Sequence, residues 1–397
     1  MATFNFSRLE QFAGNSTSIK RPREFAYFSY DDDHVLKPLS AESLSYYYPP
    51  TFDAPGTSDT RPDLSTGLET FRKRDDSIDE HLDGLLDTLQ LYEERLLEKV
   101  HSGEGELRDV RVKADIVTYR GMMTKAGIPT HRYSHKLRDA DFMKGTIFIE
   151  ENHAYKAAER LSQKTQQPRR GEASQEMMQY WGYHFETLSV LPRPWAECTR
   201  EEIECRESKI VSNHAQYCSI ARTSIGTTSL VLAGEVDAVL GEKPEKSDTP
   251  ISWIELKTSA EPNFNTPRGP ANYERKLLKY WAQSFLLGVP KIMVGYRTQD
   301  GHLTRIEELD TQRIPSQVKR GIHSWDGNIC INLTAAFLEM LKQTVVGDGV
   351  WRIKRAKNVP AIEIVKAAET GTGKILKASF KEHREKLRAL EVSAALG

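Results

Sequence analysis

The chain is poor in cysteine, has no long apolar run and carries no surplus of either charge. Its four cysteines, Cys198, Cys205, Cys218 and Cys330, are spread over 397 residues without a C-x-x-C pair. That spacing excludes a disulfide scaffold and offers no ligand pair for a zinc or dithiol site. No stretch of about 18 apolar residues occurs, which excludes an ordinary transmembrane helix. The N-terminus lacks the apolar segment of a secretory signal. Together these absences point to a reducing compartment, cytosol or nucleus. Lys plus Arg number 55 against 56 Asp plus Glu, so there is no uniform basic field with which to coat duplex nucleic acid. The balance is uneven, however. From Trp351 onward 11 basic and 5 acidic residues give +6, and residues 1–350 carry −7.

What is present suffices for a core: 39% apolar residues, with 14 Phe, 15 Tyr and 6 Trp, which excludes global disorder. There is no internal repeat. Residues 1–20 are polar and expected to fray, residues 21–390 are expected to form one domain, and 391–397 a tail. Lys20-Arg21-Pro22-Arg23 has the composition of a short import signal, although basic clusters are more often solvated surface. Strands are expected at Phe25–Ser29, Asp115–Tyr119, Lys144–Glu150, Leu230–Leu240 and Ile251–Thr258. The last two are separated by a polar loop, consistent with a hairpin. Further strands are expected at Lys291–Thr298 and Leu303–Leu309, joined through Asp300-Gly301, and at Trp351–Lys357 and Ile362–Lys366. Helical periodicity follows Ser77-Ile-Asp-Glu80, which reads as a capping box, with Ile78, Leu82, Leu85, Leu86, Leu89, Leu96, Leu97 and Val100 on the apolar stripe. Helices are also expected at Gln175–Val190, Asn272–Gly288, Leu333–Val346 and Phe380–Leu390. Residues 54–62 and 164–174 read as loops. The fold class is mixed α/β, with mixed sheets flanked by helices.

The most informative residues lie on two of these strands, Gly234-Glu235-Val236-Asp237 and Ile254-Glu255-Leu256-Lys257. Side chains two apart on a strand share a face, so Glu235 projects with Asp237 and Glu255 with Lys257. Paired strands then bring three carboxylates and an ammonium together beside apolar neighbours. Carboxylates in such a place need a cation or hydrogen bonds. An all-oxygen set suits Mg²⁺ or Mn²⁺, with Lys257 oriented toward a water or a transition state. The plain alternative is a cross-strand salt bridge from Lys257 to Glu235 or Asp237. Lys276, Lys279 and Gln283 fall on one helix face. Thr370-Gly-Thr-Gly-Lys374 is no phosphate loop, because Ala368 stands at the first glycine and Ile375 at the required Ser/Thr.

Five motifs occur in order: Val117-Thr118-Tyr119-Arg120-Gly121, Gly182-Tyr183-His184-Phe185-Glu186, Glu235-x-Asp237, Glu255-x-Lys257, and Trp281 to Gly288 with Gln283. In this order the chain resembles the DXO-type decapping nuclease family, whose active site is a variant of the PD-(D/E)xK nuclease arrangement. Tyr46-Tyr47-Tyr48-Pro49-Pro50, Asp63-Leu64-Ser65-Thr66-Gly67 and Leu85-Leu86 resemble its fungal nuclear branch, whose members bind the nuclear 5′→3′ exoribonuclease.

The resemblance implies that Glu186, Glu235, Asp237 and Glu255 hold Mg²⁺ or Mn²⁺ with the main-chain carbonyl of Leu256. It implies that Lys257 and Gln283 position the water and the scissile phosphate. Arg120 is then expected to contact RNA, with a structural ion pair as the alternative, and Glu186 to border the substrate. The implied activity is hydrolysis at RNA 5′ ends: decapping of incomplete or noncanonical caps and removal of pyrophosphate. The product is 5′-monophosphate RNA for a nuclear exoribonuclease that the chain binds and stabilises. A non-catalytic stabilising subunit and a free-standing cytoplasmic decapping exoribonuclease are the rival expectations.

Overall fold

The computed structural model describes residues 1–50, 61–127, 136–143, 145–164, 173–245, 249–347, 349–356, 358–369 and 373–396. Their strands are β1 (Ala2–Asn5), β2 (Ile19–Tyr30), β3 (Leu36–Pro38), β4 (Tyr46–Tyr47), β5 (Ile116–Tyr119), β6 (Lys136–Met143), β7 (Thr146–Glu151) and β8 (Val190–Leu191). They continue as β9 (Gln216–Ile225), β10 (Thr228–Glu235), β11 (Ala238–Val239), β12 (Trp253–Ala260), β13 (Lys291–Arg297), β14 (Leu303–Asp310), β15 (Val350–Arg355) and β16 (Ala361–Ala368). The α-helices are α1 (Asp83–His101), α2 (Arg120–Gly127), α3 (His153–Lys164), α4 (Gln175–Leu188), α5 (Arg200–Glu204), α6 (Gly269–Leu287), α7 (Ile314–Arg320), α8 (Gly327–Thr344) and α9 (Ala378–Leu396). Among the described residues no helix is long and apolar enough to cross a membrane.

Two mixed sheets result, confirming the mixed α/β class. The ten-stranded sheet runs β1-β16-β15-β6-β7-β5-β10-β9-β2-β3 and the six-stranded one β14-β13-β12-β11-β4-β8. Strands β5 and β10 pair in parallel near the middle of the first and are apolar on both faces, as strands covered on both sides must be. One face places Ile116, Leu230 and Leu232 with Leu333, Phe337 and Leu341 of α8. The other places Val117, Val231 and Ala233 with Leu85, Leu86 and Leu89 of α1 and Phe380 of α9.

In the second sheet β12 and β13 are parallel and therefore need a crossover, which α6 supplies. Pro270 opens α6 and Gly288, at φ +73° in the left-handed region, ends it, as the residues' backbone preferences dictate. Leu277, Leu278 and Trp281 of α6 pack with Ile292, Val294 and Tyr296. Tyr180, Trp181 and Phe185 of α4 pack with Ile254, Leu256 and Met293. Strands β12 and β13 thus lie between α4 and α6.

Several local expectations change. Residues 1–20 are not a frayed start: β1 pairs with β16, and Phe4 and Phe6 are buried in the core. The two rings supply burial that the surrounding polar composition conceals. The tail from Glu391 continues α9 to Leu396. Ser77-x-x-Glu80 caps nothing. Ser77 Oγ donates to Asp75, Glu80 pairs with His34, and α1 starts later, at Asp83, without a side-chain cap. Ile78 accordingly lies outside the helix and is exposed. A capping box is formed instead by Thr199 and Glu202 at α5. The basic Lys20-Arg21-Pro22-Arg23 segment is part of β2, where its pairing to β9 slips register. The hairpin at Asp300-Gly301 forms, with Gly301 at φ +101°. Most of the expected loops at 54–62 and 164–174 lie outside the described residues.

Candidate functional site

The Glu235-x-Asp237 segment lies where the chain leaves one sheet for the other. Glu235 ends β10 opposite Cys218 of β9, and after two intervening residues β11 begins in the smaller sheet, antiparallel to β12. The expected hairpin therefore exists between β11 and β12 only, and β10 belongs elsewhere. Convergence still holds, because the Leu256 N–H donates to Asp237 Oδ2 at 2.6 Å and so brings the first motif against the second.

Glu255 is the hub. It is 1% exposed, and its Oε1 accepts from Lys257 Nζ at 2.5 Å and from Gln283 Nε2 of α6 at 2.6 Å. Its Oε2 accepts from Arg120 Nη1 at 3.2 Å. The direct ion-pair partner of Lys257 is thus Glu255 of its own strand, in place of the cross-strand bridge to Glu235 or Asp237 considered above. The structural ion pair considered for Arg120 does exist. Gln283 is no ordinary surface glutamine. Arg120 stands there because β5 switches directly into α2 at that residue. It also needs Gly234: a Cβ at Gly234 would lie 2.6 Å from Leu287 Cδ1 and 3.2 Å from both Cβ and Nε of Arg120. Gly234→Ala is expected to displace Arg120, lowering stability by about 1–3 kcal/mol and lowering the turnover rate as well. Thermal unfolding and single-turnover rates check this, and native values for both would refute it.

Glu186 arrives from the last turns of α4, half-buried. Burial, then the charges of Asp237 and Glu235, raise its carboxyl well above the ordinary range. Asp237 is pushed up to about 7, by burial and then by Glu255. Glu235 is also raised, first by burial. Its side chain opens to solvent, so water screens part of that effect. For Glu255 burial acts upward, but the charges of Lys257 and Arg120 outweigh it and hold the carboxyl below its usual range. Burial acts downward on Lys257, yet Glu255 and Asp237 reverse it and raise the ammonium. Four carboxylates against two cations leave surplus negative potential, all of it on oxygen. That donor chemistry fits a hard divalent cation. Among the described residues, no three His, Cys, Asp or Glu side chains are already closed around one metal-sized point. Lys257, Arg120 and Gln283 occupy the Glu255 oxygens instead.

A cleft of about 530 Å³ opens onto Arg120, Gly234, Glu235 and Gln283 and extends past Tyr30, Arg74, His81 and Glu150. Arg74 is the residue that sequence reading missed. It lies within the influence of Glu235 and Cys218, is 3.2 Å from His34 and 3.6 Å from Glu80, and belongs to an undistinguished charged run. Of the two lysines placed with Gln283, Lys276 reaches Ser259 Oγ at 2.5 Å. Burial, and then Arg297, lower its ammonium.

Comparison with known proteins agrees with this geometry. Residues 20–381 match the family described as RAI1 like PD-(D/E)XK nuclease. The decapping nuclease RAI1 of Neurospora crassa is 47% identical over 388 residues, covering 97% of this chain and 88% of that protein. The decapping nuclease RAI1 of Emericella nidulans is 47% identical over 384 residues, covering 96% and 98%. The crystal structure of Candida albicans Rai1 in complex with pU5-Mn2+ superposes with a TM-score of 0.82 at 27% identity, covering 98% of this chain and all of that one. With two sheets, the converging carboxylates and these likenesses along its length, the chain belongs to the RAI1-like PD-(D/E)XK nuclease family.

Proposed function

We propose that the chain is a Mg²⁺- or Mn²⁺-dependent hydrolase of RNA 5′ ends, a decapping nuclease and RNA 5′-pyrophosphohydrolase. It removes incomplete or noncanonical caps and 5′ pyrophosphate and leaves 5′-monophosphate RNA. The observation that carries this reading is the meeting of Glu186 of α4, Glu235 of β10, Asp237 of the link between β10 and β11, and Glu255 of β12 with Lys257, Arg120 and Gln283. The names of the relatives and the pU5-Mn2+ content of the Candida albicans structure support it.

In this reading the four carboxylates and the Leu256 carbonyl hold the cation. When bound, the cation would lower the pKa of a water and offset charge developing on the phosphate. Glu255 is kept ionised by Lys257 and Arg120 and would exchange one of these partners for the cation. Asp237 and Glu186 give up protons less easily, so cation affinity weakens as the pH falls through about 7. Lys257 places a fixed positive charge beside the reacting phosphate, and Arg120 binds a phosphate oxygen. Gln283 fixes the orientation of Glu255 and borders the nucleophile.

The test is incubation of the purified chain and Mn²⁺ with RNAs bearing triphosphate, unmethylated cap, methylated cap or NAD at the 5′ end. Release of pyrophosphate or cap is expected, and inertness toward all four would overturn the reading. In the same assay Lys257→Ala is expected to lower the saturated rate by about a hundredfold while changing RNA affinity little. Equal losses in both would make Lys257 a substrate holder only. The proposal extends to a nuclear location and to a heterodimer with the nuclear 5′→3′ exoribonuclease, through a surface outside the cleft, since a partner covering the cleft would block RNA. Co-purification at micromolar concentration, with the native chain and Asp237→Asn alike, is expected. Absence of the complex would favour a free-standing enzyme.

A further inference from the structure

Lys243 lies in the loop that leads from β11 to β12, between the two carboxylate motifs. Its side chain is 16% exposed. Its ammonium stands 3.8 Å from the centre of the Tyr27 ring, 5.1 Å from Tyr217 and 5.8 Å from Trp253. It is 2.6 Å from Glu24 Oε1 and donates to Tyr217 Oη at 2.6 Å, and Tyr217 in turn donates to Glu24 Oε2 at 3.0 Å. The Glu24 side chain is only 7% exposed. Three aromatic faces and one carboxylate are the surroundings that bind an alkylammonium group, and here the chain's own lysine fills them.

The walls of this cage come from both sheets. Glu24 and Tyr27 lie on β2 and Tyr217 on β9 of the larger sheet, whereas Trp253 begins β12 of the smaller. The Tyr217 backbone also touches the motif directly, because its carbonyl accepts the Val236 N–H at 3.1 Å. Val236 itself packs in the same core as Tyr217 and Trp253. Glu235 belongs to one sheet and Glu255 to the other, so the spacing of the carboxylates depends on how the two sheets are fastened at this point.

We propose that Lys243 is a positioning residue for the hydrolytic site: caged by Tyr27, Tyr217, Trp253 and Glu24, it pins the loop between the motifs and fixes the separation of Glu235 and Asp237 from Glu255. It touches neither substrate nor cation. The inference rests on the cation site proposed above. Outer-shell groups that orient ligands typically alter metal affinity by about 10- to 100-fold.

The test is Mn²⁺ binding to the RNA-free protein, read by electron paramagnetic resonance, together with steady-state kinetics. Lys243→Met is expected to weaken Mn²⁺ binding about tenfold and to lower kcat while leaving KM for RNA unchanged. Lys243→Arg, which keeps the charge, is expected to retain most of both. Lys243→Met alone strands the buried Glu24, so the second variant is Lys243→Met with Glu24→Gln. This neutral pair is expected to recover thermal stability without recovering Mn²⁺ affinity. Native Mn²⁺ affinity in the double variant would overturn the positioning role. Absence of Mn²⁺ binding by the native chain would instead overturn the cation site, and the role of Lys243 with it.

Discussion

Asp237→Asn is expected to lower hydrolysis of 5′-triphosphate RNA by at least about a hundredfold, while making the metal-free protein more stable at pH 8. Both effects come from one carboxylate. The substitution removes a ligand charge from the cluster but leaves an oxygen that can accept the Leu256 N–H. In the folded chain Asp237 releases its proton near pH 7, against an ordinary value of 3.8. Between these values the folded state binds more protons than the unfolded one, so stability falls as the pH rises. The contribution of the carboxyl is fully present below about pH 4 and is lost as the pH climbs through 7. Asparagine has no such loss, so the advantage of the variant grows from pH 4 to pH 8. After allowance for solvent screening it reaches about 1–3 kcal/mol. Mn²⁺ is expected to raise the thermal midpoint of the native chain more than that of the variant, because a bound ligand stabilises the state that binds it. Single-turnover pyrophosphate release and unfolding at several pH values check both parts. A folded variant with native rates would remove Asp237 from the site, and a stability gap independent of pH would show that its carboxyl is not raised.

Glu93→Ala is expected to give the largest loss of stability. Glu93 lies on α1 with its side chain fully buried, yet it is a carboxylate. Its Oε1 accepts the Val112 N–H at 2.7 Å and stands 3.0 Å from Arg384 Nη2. Its Oε2 stands 3.0 Å from His383 Nε2. Arg384 and His383 both belong to α9, so this one side chain joins the last helix to α1 and to the chain entering β5. Alanine would leave the buried Arg384 guanidinium without its counter-charge, and His383 Nε2 and the Val112 N–H without their acceptor, at a cost of about 3–5 kcal/mol. Denaturant unfolding measures the loss. None of these residues lines the cleft, so activity per folded molecule is expected to persist at low temperature. A loss below about 1 kcal/mol would show that α9 is held by its apolar contacts alone.

The chemistry of the site was legible in the sequence because its signals are local. Alternation along a strand puts Glu255 and Lys257 on one face, and the 2.5 Å contact between them follows from that period. The amphipathic pattern ending at Gly288 marks α6, and Asp300-Gly301 marks the turn between β13 and β14, because backbone preference acts within a few residues. The ordered motifs added what spacing alone cannot give, namely that Glu186 and Gln283 belong with these strands.

What the tertiary structure decided is everything set by partners far along the chain. Leu230–Leu240 reads as one strand, but Glu235 pairs with Cys218 in one sheet while Ala238 pairs with Ile254 in the other. Only nonlocal hydrogen bonds and burial choose that break. Ser77 and Glu80 have the spacing of a cap, yet Asp75 and His34 claim them. The polar first residues conceal Phe4 and Phe6, whose burial depends on β16 arriving more than 350 residues later. Lys243 carries no sequence signal, because its cage is assembled from β2, β9 and β12. The sequence alone determined which side chains could hold charge and on which face of their own element they stand. The meeting of the two sheets decided which charges face one another, since electrostatic interaction depends on distance in space and not on separation along the chain.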